Sequence, residues 1–183
     1  MGPFGNGSVE QSKGRLRITV KHEMLGWVRE PTNRHDIVLG FSATFVLPRA
    51  NPSDFGAGLA CLTGSPDARR VVYFLYQPVG YWLVEEVTAE GTPKEKARKL
   101  AQGTTYQRFR GDSFHVSAGC QWQPGGATRL TMLLDKKVVW SKVVDEPGAY
   151  GDGWRPALAV ASSGTRTAVV DVTRWTKYFL DRT

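Results

Sequence analysis

Residues 54–87 read DFGAGLACLTGSPDARRVVYFLYQPVGYWLVEEV. Three apolar runs, FGAGLACLTG, RVVYFLYQ and YWLVEEV, are parted by the turn clusters SPDAR and PVG. Runs of this length, rich in β-branched and aromatic residues and bounded by Gly, Pro and Asp, are strands joined by tight turns. Alternation along them places Cys61, Phe74 and Leu83 in a core. The parts of the stretch left to meet a ligand are the SPDARR turn and the VGYW corner.

The same punctuation continues in both directions. In GRLRITVKHEMLGWVRE, Leu16, Ile18 and Val20 alternate with Arg15, Arg17, Thr19 and Lys21, the period of a half-buried strand. IVLGFSATFVLP sets Ile37, Leu39, Phe41, Ala43 and Phe45 against Val38, Ser42 and Thr44. FHVSAGCQW, TRLTMLLDKKVVWSKVV, WRPALAVASSG and TAVVDVTRWTKYFL read as further strands, with a hairpin corner at Asp135-Lys136-Lys137. One segment differs. TPKEKARKLA has a cap at Thr92, Pro93 at the first helical position and Glu95 three residues after the cap, which predicts a short helix or ordered loop near 92–101. Ten or eleven strands and one such helix predict an all-β, two-sheet antiparallel sandwich in a single domain over 14–183. Residues 1–13, MGPFGNGSVEQSK, are Gly- and Ser-rich without the apolar centre of a signal peptide, and read as a flexible arm, a linker or an expression remnant.

Charge and cysteine usage narrow the function classes. The net charge is +7, but the cations are scattered and concentrate only between Lys94 and Lys99, where Glu95 dilutes them. No specific nucleic-acid surface is expected from that distribution. No apolar run approaches the roughly 18 residues a bilayer span requires, so no membrane span is expected. Cys61 and Cys120 belong to no CxxC or Cys/His cluster, which removes zinc and thioredoxin-like readings. Their spacing alone leaves two readings open, a bridge closing a long loop or two buried thiols acting as small hydrophobes.

Four segments carry a family resemblance. They are DFGAGLACL, the aromatic hairpin YFLYQPVGYWLVEEV, FHVSAGCQWQPGGATRLTMLLDKKVVWSKVV with the second cysteine, and the closing RPALAVASSGTRTAVVDVTRWTKYFL. In this order they resemble the concanavalin A-like lectin/glucanase superfamily, from Gly14 to the end. Within it they are most similar to the laminin-G-like jelly-roll domains of secreted or cell-surface actinobacterial proteins. Asp135-Lys136-Lys137 departs from the usual Asn-Gly turn, and Val170-Asp171-Val172 stands where an aromatic is common. The resemblance implies a jelly roll, a Cys61–Cys120 disulfide between neighbouring strands, and carbohydrate as the ligand class.

Catalytic patterns of that superfamily are not met. Its β-glucan hydrolases use Glu-x-Asp-x-x-Glu on one strand, whereas here Glu85 and Glu86 are adjacent, pointing to opposite faces, with Glu90 beyond the strand end. Its lyases need a Tyr and a His about the uronate, and His22, His35 and His115 lie in no such segment. No Gly-x-Ser-x-Gly elbow is present. Asp152 in YGDGW is a lone carboxylate, so neither metal nor other cofactor is expected.

Binding remains. Tyr81, Trp82, Trp122, Tyr150 and Trp154 stand at strand ends or turns, from which a ring can reach solvent and stack on a sugar. Trp27, Trp140 and Trp175 fall in alternating patterns that suit a core. Arg69-Arg70 and Arg98-Lys99 offer attraction to an anionic glycan or partner. The expectation is a non-catalytic binding module for a glycan, or for a protein partner, outside the cell or at its surface. Its rivals are a structural or adaptor subunit docked by a sheet face or edge, and a divergent hydrolase or lyase.

Overall fold

A computed structural model describes residues 7–21, 25–29, 38–47, 55–64, 69–90, 92–105, 113–123, 125–144, 154–162 and 166–179. These hold thirteen strands and no helix: β1 (Gly7–Ser12), β2 (Arg15–Val20), β3 (Leu25–Arg29), β4 (Val38–Val46), β5 (Phe55–Thr63), β6 (Arg70–Gln77), β7 (Tyr81–Thr88), β8 (Lys96–Thr104), β9 (Ser113–Trp122), β10 (Thr128–Leu134), β11 (Lys137–Val144), β12 (Arg155–Ser162) and β13 (Ala168–Phe179). A seven-stranded sheet runs β1-β2-β13-β4-β9-β10-β11 and a six-stranded sheet runs β3-β12-β5-β6-β7-β8. Every neighbouring pair is antiparallel.

The opening stretch builds the centre of the six-stranded sheet. All nine residues of β5 are buried, so both faces of this strand are closed to water. Its inner set, Phe55, Ala57, Leu59 and Cys61, joins the main core. That core also takes Val72, Phe74 and Tyr76 from β6 and Phe45, Phe114, Val116 and Met132 from the opposite sheet. Phe114 links the layers. Its ring stacks on Phe45 with centroids 5.2 Å apart and meets Tyr76 of the other sheet at 5.1 Å. Cys61 and Cys120 form a disulfide with Cα atoms 6.6 Å apart. The resemblance placed the two cysteines in neighbouring strands. They lie instead in β5 and β9, one in each sheet, and the bridge crosses the core.

Three local expectations change for identifiable reasons. Residues 92–101 are not helical: Lys96–Thr104 pairs with β7 as an edge strand, with a bulge between Val84 and Glu85. The cap chemistry is present, but Thr92 Oγ1 accepts from Lys94 N at 3.2 Å and donates to the Ala89 carbonyl at 2.7 Å, closing a turn. Propensity yields here because β7 needs a hydrogen-bonding neighbour. The Lys and Arg residues then serve an exposed sheet edge, where charge opposes pairing with another chain. Second, GRLRITVKHEMLGWVRE is two strands in different sheets, β2 and β3. Third, Gly7–Ser12 of the N-terminal arm pairs along β2 as β1. Its hairpin turns on Lys13 (φ 45°) and Gly14 (φ 77°), left-handed values that suit the twist of a two-residue connection. At the β10–β11 corner the same geometry falls on Asp135 (φ 45°) and Lys136 (φ 67°), which replace the usual Asn-Gly.

The outer face of the seven-stranded sheet is polar. His115 Nδ1 lies 3.0 Å from Thr44 Oγ1, and its Nε2 lies 3.4 Å from Ser117 Oγ. Burial pushes the imidazole below its ordinary pKa, and Lys136 and Arg174 push it further against the opposing pull of Asp135. On the same face Asp171 receives two hydrogen bonds from Arg17, 2.7 Å from Nε and 2.8 Å from Nη2, which hold its carboxyl below the usual range.

Removing the bridge as Cys61→Ala/Cys120→Ala is expected to lower stability by about 4 kcal/mol, the chain-entropy value for so long a loop. Urea titration with and without reductant measures this; equal midpoints for oxidised wild type and the double variant would show that the bridge contributes nothing. Acid is expected to destabilise the fold in two steps. Both His115 and Asp171 have folded pKa values below their unfolded ones, so each contributes stability that is present above the unfolded pKa and lost as pH falls. The first loss begins near pH ~6.5 and the second near ~3.9. His115→Gln should flatten the first and Asp171→Asn the second in urea midpoints measured against pH.

Candidate functional site

The register of the six-stranded sheet decides which side chains share its outer face. Ala60 of β5 lies opposite Tyr73 of β6, which lies opposite Glu85 of β7, which lies opposite Lys99 of β8. One step along, Gly58, Leu75, Leu83 and Gln102 form the next row, and Gln77, Tyr81 and Thr104 the row beyond it. On the other side Ala157 and Ala159 of β12 complete the rows. Ala60, Leu62, Val71, Tyr73, Leu75, Val87, Ala157 and Ala159 make a second apolar cluster, closed to solvent, against which Leu83 packs. Leu83 therefore stabilises this outer cluster, not the main core to which the sequence pattern assigned it.

The floor of this face is made of small residues, and the structure requires them. A Cβ on Gly58 would run into the backbone carbonyl of Phe74 on the adjacent strand, so no larger residue fits. The accessible part of the face lies towards β7 and β8. There the Tyr81 hydroxyl donates to Gln102 Oε1 at 2.7 Å, an exposed pair placed diagonally across two strands. The turn before Tyr81 holds it in place. Gly80 N donates to the Gln77 carbonyl at 2.9 Å, and Thr105 N donates to the Gly80 carbonyl at 2.7 Å. Gly80 has φ 98°, and a Cβ there would approach the Thr105 carbonyl to 2.8 Å. The hairpin end is thus tied to the end of β8, and Tyr81 is presented from a rigid corner.

The carboxylates that glycoside hydrolysis would need are separated by the strand pleat. Glu85 faces outward beside Lys99, while Glu86 shares the inner set of β7 with Trp82 and Val84. Glu86 is buried and ion-paired at the rim of the sandwich, 3.1 Å from Arg70 Nη1 and 2.7 Å from Arg98 Nη2. Glu90, in the turn after β7, accepts a hydrogen bond from the Tyr73 hydroxyl. Burial, then the negative charge of Glu90, raise the Tyr73 pKa far above that of a free phenol, so it stays protonated. His115 lies on the outer face of the other sheet, a full sandwich away from Tyr73. Among the described residues no group of three His, Cys, Asp or Glu could hold a metal ion.

The candidate binding residues divide accordingly. Tyr81 is half-exposed on the outer face. Trp82, expected at an exposed corner, points inward at 9% exposure, and Trp154, expected in an open loop, is a core residue at 3%. The indole of Trp82 lies over Gly103, where an added Cβ would meet its Cζ2 at 2.5 Å. Arg70 is engaged with Glu86, and Arg69, half-buried, directly precedes β6, its carbonyl accepting from Glu90 N at 3.4 Å. Tyr150 and the side chain of Trp122 lie outside the described residues. Gln102 was missed by sequence reading because its segment resembled a helix. Plain alternation along the segment would have misplaced it, because Leu100 is the extra residue of the bulge that sets Lys99 and Gln102 on one face.

Two antiparallel sheets packed face to face over a buried inner face form a β-sandwich of jelly-roll type. Solved structures agree in fold. A family 16 glycoside hydrolase from the mixed-linkage glucan locus of Bacteroides ovatus aligns with TM-score 0.63 and 8% identity over 94% of this chain and 85% of that one. An alginate lyase from Pseudomonas aeruginosa gives 0.57 and 12% over 94% and 86%. The exoplasmic/lumenal domain of VIP36, solved bound to Ca²⁺ and Man3GlcNAc, gives 0.56 and 14% over 97% and 83%. No protein-family model matches the sequence, and no curated protein matches it.

Gly103→Ala is expected to displace the Trp82 indole and destabilise the fold by about 2 kcal/mol, the scale of an overpacked core. A shift in tryptophan emission with a lower urea midpoint would confirm the contact; an unchanged spectrum would refute it.

Proposed function

We propose that this chain is a non-catalytic glycan-binding module of the laminin-G-like kind, acting outside the cell or at its surface. The observation that carries the reading is the exposed Tyr81–Gln102 pair beside a closed, small-residue strip on the outer face of the six-stranded sheet. A ring offers its face to the C–H side of a pyranose, and an adjacent amide supplies a donor and an acceptor for hydroxyls. Glu85 and Lys99 extend the polar strip along the strands. A strip of this form suits an extended chain of sugars better than a single enclosed one.

The hydrolase and lyase alternatives find less support in the geometry. Glu85 and Glu86 diverge, Glu86 is neutralised by two arginines, and Glu90 is bound to a buried phenol. The shared fold with glucanases, lyases and a lectin-like domain is consistent with a glycan ligand, although fold alone does not assign one. The core-crossing disulfide favours an oxidising compartment.

Glycan-array screening followed by calorimetry tests the reading. Tyr81→Ala and Gln102→Ala are each expected to weaken binding about ten-fold, the loss of one well-placed stacking or hydrogen-bonding group, with unchanged thermal midpoints. Release of reducing ends from β-glucan, or of unsaturated uronate from alginate, would overturn the non-catalytic assignment. Retention of a protein partner and no glycan on native co-purification would favour the assembly reading.

A further inference from the structure

The outer face of the seven-stranded sheet carries a second polar site, unrelated to the Tyr81 strip. A cavity of about 410 Å³ opens at the β1–β2 hairpin and is lined by Glu10, Ser12, Lys13, Arg15, Arg17 and Asp171. Strand register explains the arrangement. Glu10 of β1, Arg17 of β2 and Asp171 of β13 form one cross-strand row, and Ser12 lies opposite Arg15 in the next. The described pairing of β2 with β13 ends at Leu16–Val172, so Arg15 stands one residue beyond it with only β1 alongside.

The charges in this cavity are unequally satisfied. Asp171 is buried and accepts from both Nε and Nη2 of Arg17, so its charge is fully engaged. The buried carboxylate also holds the Arg17 guanidinium in one orientation, leaving Nη1 outside the pair. Among the described residues Arg15 and Lys13 have no ion-pair partner, and Glu10 is the remaining anion. Lys13 is carried by the tight turn at φ 45° and lines the cavity. Two cations without an ion pair, one pre-oriented guanidinium and a hydroxyl from Ser12 therefore line one space within the range of small-ligand pockets, with the Arg15 charge also acting on Asp171.

We propose that this cavity binds a small ligand bearing an oxyanion, held by Arg15 and Lys13 with Ser12 donating a hydrogen bond. Arg17 and Asp171 form the fixed wall. Glu10 works against an anion at this position, and so limits affinity.

The test uses the whole chain with four probes that share one sugar body: glucuronate, glucose 6-sulfate, glucose 6-phosphate and glucose. Binding is followed by amide chemical shifts and calorimetry. Binding by at least one of the three anions, with shifts at residues 10–17, supports the site, and the tightest probe names the anionic group. Arg15→Gln should weaken that probe about ten-fold or more, the loss of one charge-assisted contact. Glu10→Gln should tighten it about three-fold by removing like-charge repulsion. Arg129→Gln removes an equal charge from a distant strand of the same sheet and should change nothing. Two results overturn the proposal: glucose binding as well as the anions, or Arg129→Gln weakening the probe as much as Arg15→Gln, which would mark mere attraction to a cationic protein.

Discussion

Both faces of β5 are closed to water, and the organisation of the sandwich follows from that constraint. A strand buried on one face can leave the other polar, but a strand buried on both must find partners in two layers. The inner set of β5 meets the other sheet, where Cys61 is joined to Cys120 and Leu59 and Phe55 lie in the main core. The outer set, Gly56, Gly58, Ala60 and Leu62, forms a low floor beside the taller Tyr73 and Leu75 of β6. Small residues on that floor are obligatory at Gly58, where the neighbouring backbone leaves no room for a methyl group.

From this floor outward, polarity rises in steps towards the sheet edge. β6 offers the buried Tyr73, β7 the half-buried Tyr81 and Glu85, and β8 the exposed Gln102 and Lys99. The charges at the end of that gradient oppose edge-to-edge pairing. β8 carries three cations, Lys96, Arg98 and Lys99, with Lys94 in the preceding turn, and β11 on the other sheet sets Lys137 and Lys142 beside its exposed Val138 and Val143. Part of the positive balance of the chain is thus explained by edge protection. Another part, at Lys13 and Arg15, is concentrated in a cavity, where a locked Arg17–Asp171 pair gives it shape.

Errors in reading the sequence came where two physical signals competed. In TPKEKARKLA, strong helix formers and a capping threonine outweighed the alternation of a strand, and the need of β7 for a neighbour reversed the outcome. At the VGYW corner, Tyr81 and Trp82 are equally aromatic, and only the parity of the pleat separates a ring at the surface from a ring in the core. That parity was hard to read because Trp82 shares its face with Glu86. A carboxylate on an inner face contradicts the usual pattern until its two arginines, Arg70 and Arg98, are seen at the sandwich rim. Gly103 adds to the concealment, since its missing side chain is the space the indole fills.

Periodicity and turn residues are local properties, and from them alone came an all-β sandwich, its hairpins at Pro78–Gly80 and Asp135–Lys136, and cysteines set in strands. Local signals are sufficient for these because each depends on residues a few positions apart. Packing settled which strands share a sheet, that the disulfide crosses between sheets, and that Tyr81 with Gln102, or Glu10 with Arg17 and Asp171, form single surfaces. Those pairings join distant residues, Arg17 and Asp171 being 154 positions apart, and no local pattern encodes a register between strands that distant.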